Sequence, residues 1–452
     1  MMKKNIIVFI VLFLSVLCLG GCLSLFGKTP SVGLLYELNE DGKTYSVVGL
    51  GTCKDVDIII PKSYQNLPVT SIDEYAFDGC NQLKSITISD NITSIQKSSF
   101  ANCALLKTVK ISNSVSSISD YAFKNCTSLS HIVIPDSVES LGTGTFYGCS
   151  NLISARISNK VTYIQENTFT DCTSMTSIDI PNSVISIENA FAGCDNLTNL
   201  YYNGTIGEWC NINFLYERSN PNYYAKNFYI LSEKGNVNHG GKKYSLLTSI
   251  EIPNSVKSIG NYAFFRCDSL TSIKIPDSVK KIGIGAFFDC NNLKSIVIPK
   301  SVITIGYSAF ERCDSLTTVM FEEGSQLTII NFNTFRDCSK LSNINIPNSI
   351  TTIDNNVFMG CSSLESIEIP KSVTTIGSSV FYKCSRLRNI VIPKSVTSIM
   401  MSTFKDCKNL IIYCETSEVP VGWHTDWNLS NRPVYFEGEW EYDANGNPVQ
   451  LN

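Results

Sequence analysis

The chain is short of charge and shorter still of histidine: charged residues make up 17% of its 452 positions, and only three histidines occur. Acids outnumber bases, giving a net charge of −4. Non-specific binding to nucleic acid needs a basic surface, so no nucleic-acid partner is expected. His131, His239 and His424 lie too far apart in the chain to share a metal site or a catalytic triad. There is no glycine-rich phosphate loop, no His-Glu-x-x-His zinc motif and no Gly-x-Ser-x-Gly nucleophile elbow. Zinc sites favour closely spaced Cys-x-x-Cys pairs, and none is present. The expectation is therefore a chain with no catalytic residues, no bound metal and no cofactor. Its polar residues are largely Ser, Thr and Asn, which suit exposed strands and turns better than long surface helices.

The N-terminus has a clear pattern. Two lysines precede an apolar run, Ile6–Leu19, which ends at Gly20-Gly21-Cys22. A short basic start, a run of this length and small residues before a cut describe a secretory signal peptide over residues 1–21. The run falls short of the ~20 residues of a comfortable bilayer span. Leu19-Gly20-Gly21-Cys22 resembles the bacterial lipobox, which implies cleavage before Cys22 and lipid attachment to its thiol. Two or more acyl chains anchor stably, so an extracytoplasmic protein tethered to the bacterial membrane through residues 22–32, at the cell surface, is expected. Removing the signal takes away Lys3 and Lys4 and no acid, leaving the mature chain two charges more negative.

Beyond the signal the sequence is dominated by Phe-x-x-Cys. It occurs thirteen times, from Phe77/Cys80 to Phe404/Cys407, mostly at intervals of 23 residues. One full unit runs from Asn291 to Cys313. Ile296 and Ile298 alternate with Ser295 and Val297, as in a short strand with one face inward. Pro299 ends the strand, because it has no N–H for a ladder. Val302, Ile305, Ala309, Phe310 and Cys313 are expected to point inward, with Gly306 giving the corner its backbone freedom. A period of 23 lies within the range of leucine-rich repeats. One such coil cannot bury its own apolar face, whereas a stack of coils shares a continuous core. The fold expected is a β-rich leucine-rich-repeat solenoid of about thirteen 23-residue coils, on the order of 60 Å long. The repeat cysteines are expected as stacked free thiols in the core rather than disulfides. Cys53, Cys210 and Cys414 stand outside the repeat and cannot be paired from the sequence.

The unit, Leu-x-x-Ile-x-Ile-Pro-x-Ser-Val-x-x-Ile-Gly-x-x-Ala-Phe-x-x-Cys, closely resembles the BspA-like, Treponema-type leucine-rich repeats, over roughly residues 50–440. Ser89, Ser112 and Ser158 depart from it where later units have proline, and Ala155 replaces the first strand isoleucine. Around the arrays at 76–200 and 247–410, residues 33–75 read as an N-terminal cap with a hairpin about Asp41-Gly42. Residues 201–246 resemble an aromatic-rich insertion of such arrays, and 411–452 resemble a C-terminal cap. Trp209, Tyr223 and Tyr224 of the insertion and Trp423 of the cap are candidate ligand contacts. Along the strands the outward residue runs Thr87, Lys110, Val133, Arg156, Asp179, then Glu251, Lys274, Val297, Met320, Asn345, Glu368 and Val391. That row is mixed in charge and suits many weak contacts better than a deep pocket. The resemblance implies non-enzymatic adhesion, with host extracellular-matrix or cell-surface proteins or other bacteria as partners. Glycans as ligands, or a passive envelope spacer, are the alternatives.

Overall fold

A computed structural model describes residues 29–451; the signal segment and Cys22 lie outside the described residues. Over the described residues the chain winds into a β-solenoid of about 17 turns of about 23 residues, with almost no helix. The expected thirteen coils are thus too few, because coils that lack Phe-x-x-Cys also stack. Each coil contributes two short strands. The main ladder carries the Ile-x-Ile strands from Asp57–Ile59 through Ser295–Ile298 to Val434–Tyr435. The side ladder carries two-residue strands such as Ser94–Ile95, Thr304–Ile305 and Ser398–Ile399. Neighbouring rungs pair in parallel without slip, Ser295 on Thr318 and Ile296 on Val319, for example. Alternation sets this register: Ile296 and Ile298 are buried between the exposed Ser295 and Val297, and a one-residue slip would turn every isoleucine outward.

In thirteen of the coils the third side is closed by Phe-x-x-Cys. Consecutive phenylalanine rings stack nearly parallel, with centroids 5.2 Å apart for Phe77 and Phe100 and 5.6 Å for Phe381 and Phe404. Beside them eleven of the thirteen thiols donate to the phenylalanine carbonyl of the preceding coil, at 3.2 Å from Cys126 to Phe100 and 3.1 Å from Cys338 to Phe310, for example. A small apolar side chain carrying one weak donor suits this place. The sixteen cysteines of the described residues are all free, and Cys80, on the first of these turns, is the one that is not fully buried. Cys53, Cys210 and Cys414 are buried too.

The sharp corners flanking each phenylalanine use left-handed backbone at two positions per coil, such as Ser308 (φ 56°) and Arg312 (φ 61°). Gly306 has a different reason from the one its spacing suggests. Its φ is ordinary, but a Cβ there would run into the backbone of Gly283 and Ile284 in the coil before. Close approach of two coils, rather than a special dihedral, selects glycine.

The aromatic-rich segment is an irregular coil followed by a hairpin. The strand Asn227–Leu231 continues the main ladder, with Phe228 in register on Leu200. Counting back from Phe228 by the repeat spacing, Ala225, Asn222 and Ser219 occupy the Leu, Cys and Phe positions, and all three are buried. The smaller Ser219 and Ala225 leave room that Trp209 fills from the helical turn Ile206–Trp209, against Tyr202, Phe214 and Phe228. Its Nε1 donates to the Ala263 carbonyl at 2.7 Å. In regular coils that carbonyl takes the amide of the preceding phenylalanine, as Ala286 takes Phe264 at 2.8 Å. Asn222 Nδ2 in turn reaches Cys267 Sγ at 3.2 Å. The two arrays are therefore joined through a core.

Two outcomes follow. Trp209→Ala leaves a large cavity and strips the Ala263 carbonyl of its shorter hydrogen bond, leaving only Asn220 Nδ2 at 3.1 Å, so denaturant unfolding should show a loss of about 3–5 kcal/mol. Burial also raises the pKa of the thiols, to about 12 for Cys103, Cys149 and Cys194 against an ordinary 9.0. The fold therefore favours the protonated thiol, and this stability is complete below pH 9 and drains away as pH rises towards 12. Each such thiol adds about 1.4 kcal/mol per pH unit to the slope. Circular dichroism against pH should show a steep alkaline transition, flattened by Cys290→Ala with Cys313→Ala; a shallow transition unaffected by them contradicts the buried thiol stack.

Candidate recognition surface

With ring and thiol inward, each coil presents two broad faces, one over the main ladder and one over the side ladder. Two hairpins fold back over the main face. The first, Val237–His239 with Lys242–Leu246, pairs antiparallel to Asn227–Leu231. It lays His239 flat on Tyr201, with centroids 3.8 Å apart, and sets His239 Nε2 2.8 Å from Asp179 Oδ2. Tyr229 stacks on the same ring at 4.9 Å, and Tyr244 hydrogen-bonds Asn203 Oδ1 at 2.7 Å. The second hairpin, Trp440–Tyr442 with Pro448–Gln450, is pinned where Trp440 Nε1 donates to the Cys414 carbonyl at 3.0 Å. Between the hairpins the main face is open, and its outward row is exposed at Glu251, Lys274, Val297, Met320 and Asn345. Lys274 and Glu251 pair across neighbouring rungs at 2.7 Å, an exposed contact worth little.

The four residues proposed as ligand contacts divide. Trp209 and Trp423 are not available to a ligand. Trp209 is fully buried, and Trp423 is 5% exposed, with its Nε1 given to the Val396 carbonyl at 3.0 Å and its ring against Trp427. Both fill gaps where the regular ladder stops, so an aromatic-rich stretch here signals core. Tyr223 and Tyr224 are half-buried and lie together, ring centroids 4.9 Å apart. Tyr223 stacks on Phe265 between the guanidinium groups of Arg218 and Arg266. The three histidines stay apart as expected: His131 is exposed on its strand, His239 is spent on Tyr201 and Asp179, and His424 Nδ1 accepts the Asp426 amide.

The side face holds what the reading of the strand row missed. Ile303, Tyr307, Ile329 and Phe332 lie on adjoining coils and are 53%, 52%, 40% and 37% exposed. The coils meet where Ser308 N donates to the Phe332 carbonyl at 2.9 Å, and the rings of Tyr307 and Phe332 stand edge to face. Tyr163, Ile185, Leu215 and Tyr216 form a second exposed cluster around the strands Tyr163–Ile164, Ser186–Ile187 and Asn213–Phe214. Contiguous apolar surface of this kind marks interaction sites. The signal was visible at the position after the repeat valine and at the one after the corner glycine, where most coils carry polar residues.

Comparison with known proteins accords with this architecture. No curated protein matches the chain. A leucine-rich repeat protein from Bacteroides ovatus is 23% identical over 91% of this chain and 99% of its own, with a TM-score of 0.58. A leucine-rich repeat protein of T. pallidum is 27% identical over 38% of this chain and 81% of its own, at a TM-score of 0.37. The pneumococcal vaccine antigen PcpA is 20% identical over 90% and 98%, at 0.48. The sequence profile of the BspA type leucine rich repeat region matches residues 52–142, 94–219, 242–326 and 284–411. These segments span well over half of the protein, and the chain belongs to the BspA-type leucine-rich repeat family.

Proposed function

We propose that this protein is a non-enzymatic cell-surface lipoprotein that binds protein partners through the side face of its solenoid, in adhesion to host matrix or to other cells. The observation that carries this reading is the exposed cluster of Ile303, Tyr307, Ile329 and Phe332. A monomer gains nothing from keeping such side chains in water, whereas an aromatic and aliphatic patch rimmed by polar residues suits a protein partner. The non-enzymatic part rests on where the reactive groups are. The thiols are nearly all in the core, and their proton is held by burial.

Anchoring is assigned to lipid on Cys22, at the lipobox-like Leu19-Gly20-Gly21-Cys22. Among the described residues no helix is long and apolar enough to cross a membrane. Membership of the BspA-type repeat family supports display outside the cell.

Surface proteolysis of intact cells should cleave the protein, and Cys22→Ala should abolish its retention there. Ile303→Lys combined with Phe332→Lys should weaken saturable binding to matrix proteins or cells about tenfold or more. Both sites are exposed, so stability should change by only about 0.5 kcal/mol per site. Undiminished binding by that variant contradicts the side face as the binding surface.

A further inference from the structure

The C-terminal hairpin does more than close the last coil. It leaves a cleft of about 520 Å³ between itself and the outward side of the main ladder, within the size range of small-ligand sites. The floor carries Glu368, Lys371, Asn389 and Glu415 beside the apolar Val391 and Pro393, and the wall carries Tyr442, Asn447 and Pro448. A second recess of about 300 Å³ shares Lys371 and Glu415 with the first and adds Lys394 and Trp440.

The wall is built to hold its shape. Trp440 is fixed to the Cys414 carbonyl, packs on Tyr413, and meets Tyr442 edge to face at 5.1 Å. At the hairpin tip Asp443 Oδ1 accepts the amides of Asn445 and Asn447, both at 2.8 Å. Tyr442 nevertheless keeps 52% of its surface exposed. Partial burial and the nearby Glu415 and Glu368 carboxylates raise its pKa, so its hydroxyl remains a neutral donor. Among the described residues Glu368, Glu415 and Lys371 form no ion pair with one another or with a third group.

The chemistry narrows the ligand class. Carboxylates and ammonium groups share the floor, so neither an anion nor a cation finds a field of one sign. An apolar ligand would bury those charges at a cost. Addition of a peptide as an extra strand needs an unpaired edge; the floor strand Asn389–Ile392 is paired along Ile411–Cys414 and bridged to Ser366 at Asn389, and where the hairpin lines the cleft at Pro448 it has no N–H to offer. What remains is a neutral ligand rich in hydroxyls. Each hydroxyl both donates and accepts, so carboxylate, amide and ammonium groups can all be satisfied at once, while an aromatic ring takes the apolar face.

We propose that this cleft binds a neutral sugar unit of a glycan, with the ring of Tyr442 against its C–H face and Glu368, Glu415, Lys371, Asn389 and Asn447 meeting its hydroxyls. This site is separate from the side face assigned to protein partners, so each can fail without the other.

The test is a glycan array probed with the full chain, followed by calorimetric titration of the best neutral oligosaccharide. Glu368→Gln and Tyr442→Ala should each lower affinity about tenfold, with the melting temperature unchanged. Ile303→Lys with Phe332→Lys should leave glycan affinity as it is. Glu368 stands on a solenoid rung, so its variant still reports if loss of the Tyr442 ring loosens the hairpin. A blank array, binding restricted to charged glycans, or affinity untouched by Glu368→Gln overturns the proposal.

Discussion

The regular coils of this protein are held in place by one contact repeated along each array: a phenylalanine ring lying flat on the ring of the coil before it. The thiol three residues on completes the contact by bonding that coil's phenylalanine carbonyl. A single coil could not hold this geometry. Its corners rely on left-handed residues, many of them not glycine, and such backbone costs about 1 kcal/mol or more each. Stacking offsets this through burial of Ile, Leu, Phe and Cys on every turn, and the ladders on the two faces follow from it.

Because the core is uniform, difference resides on the outside and in the irregular coils. Where the phenylalanine position falls to Ser219, a tryptophan from another part of the coil takes over both its volume and its hydrogen bond. Where the array ends, Trp427 meets Phe404 edge to face instead of stacking, which stops the ladder with a ring that offers no flat face to a further coil. Both irregular regions then send a hairpin back across the main face, and each hairpin seats an aromatic cluster on outward strand positions. The side face carries one apolar cluster on regular coils, at Ile303, Tyr307, Ile329 and Phe332, and a second that reaches into the irregular coil at Leu215 and Tyr216.

Much of this was legible in the sequence. Ile296, Ile298, Val302, Ile305, Ala309, Phe310 and Cys313 announce their burial by spacing alone, and the hairpin about Asp41-Gly42 pairs as its alternation implies. The coil at Ser219, Asn222 and Ala225 was hidden, because two of these residues are polar and the third is too small to stand for the leucine that the spacing leads one to expect. Trp209 and Trp423 were misleading for a related reason. An aromatic residue outside the repeat looks free for a ligand until the gap it fills is known. Tyr442 and Glu368 come together only because the terminal hairpin turns back over a rung about 70 residues earlier in the chain, and no local pattern records that fold-back.

The claim on which the account rests is that residues 203–231 form a coil of one continuous solenoid rather than a loop between two. Native-state hydrogen exchange tests it directly. Amides from Cys210 to Ile230 should be protected to a degree comparable with the regular coils on either side, Cys210, Ile212 and Phe228 among them. Rapid exchange throughout that stretch, between two protected arrays, would contradict the account and divide the protein into two independent solenoids.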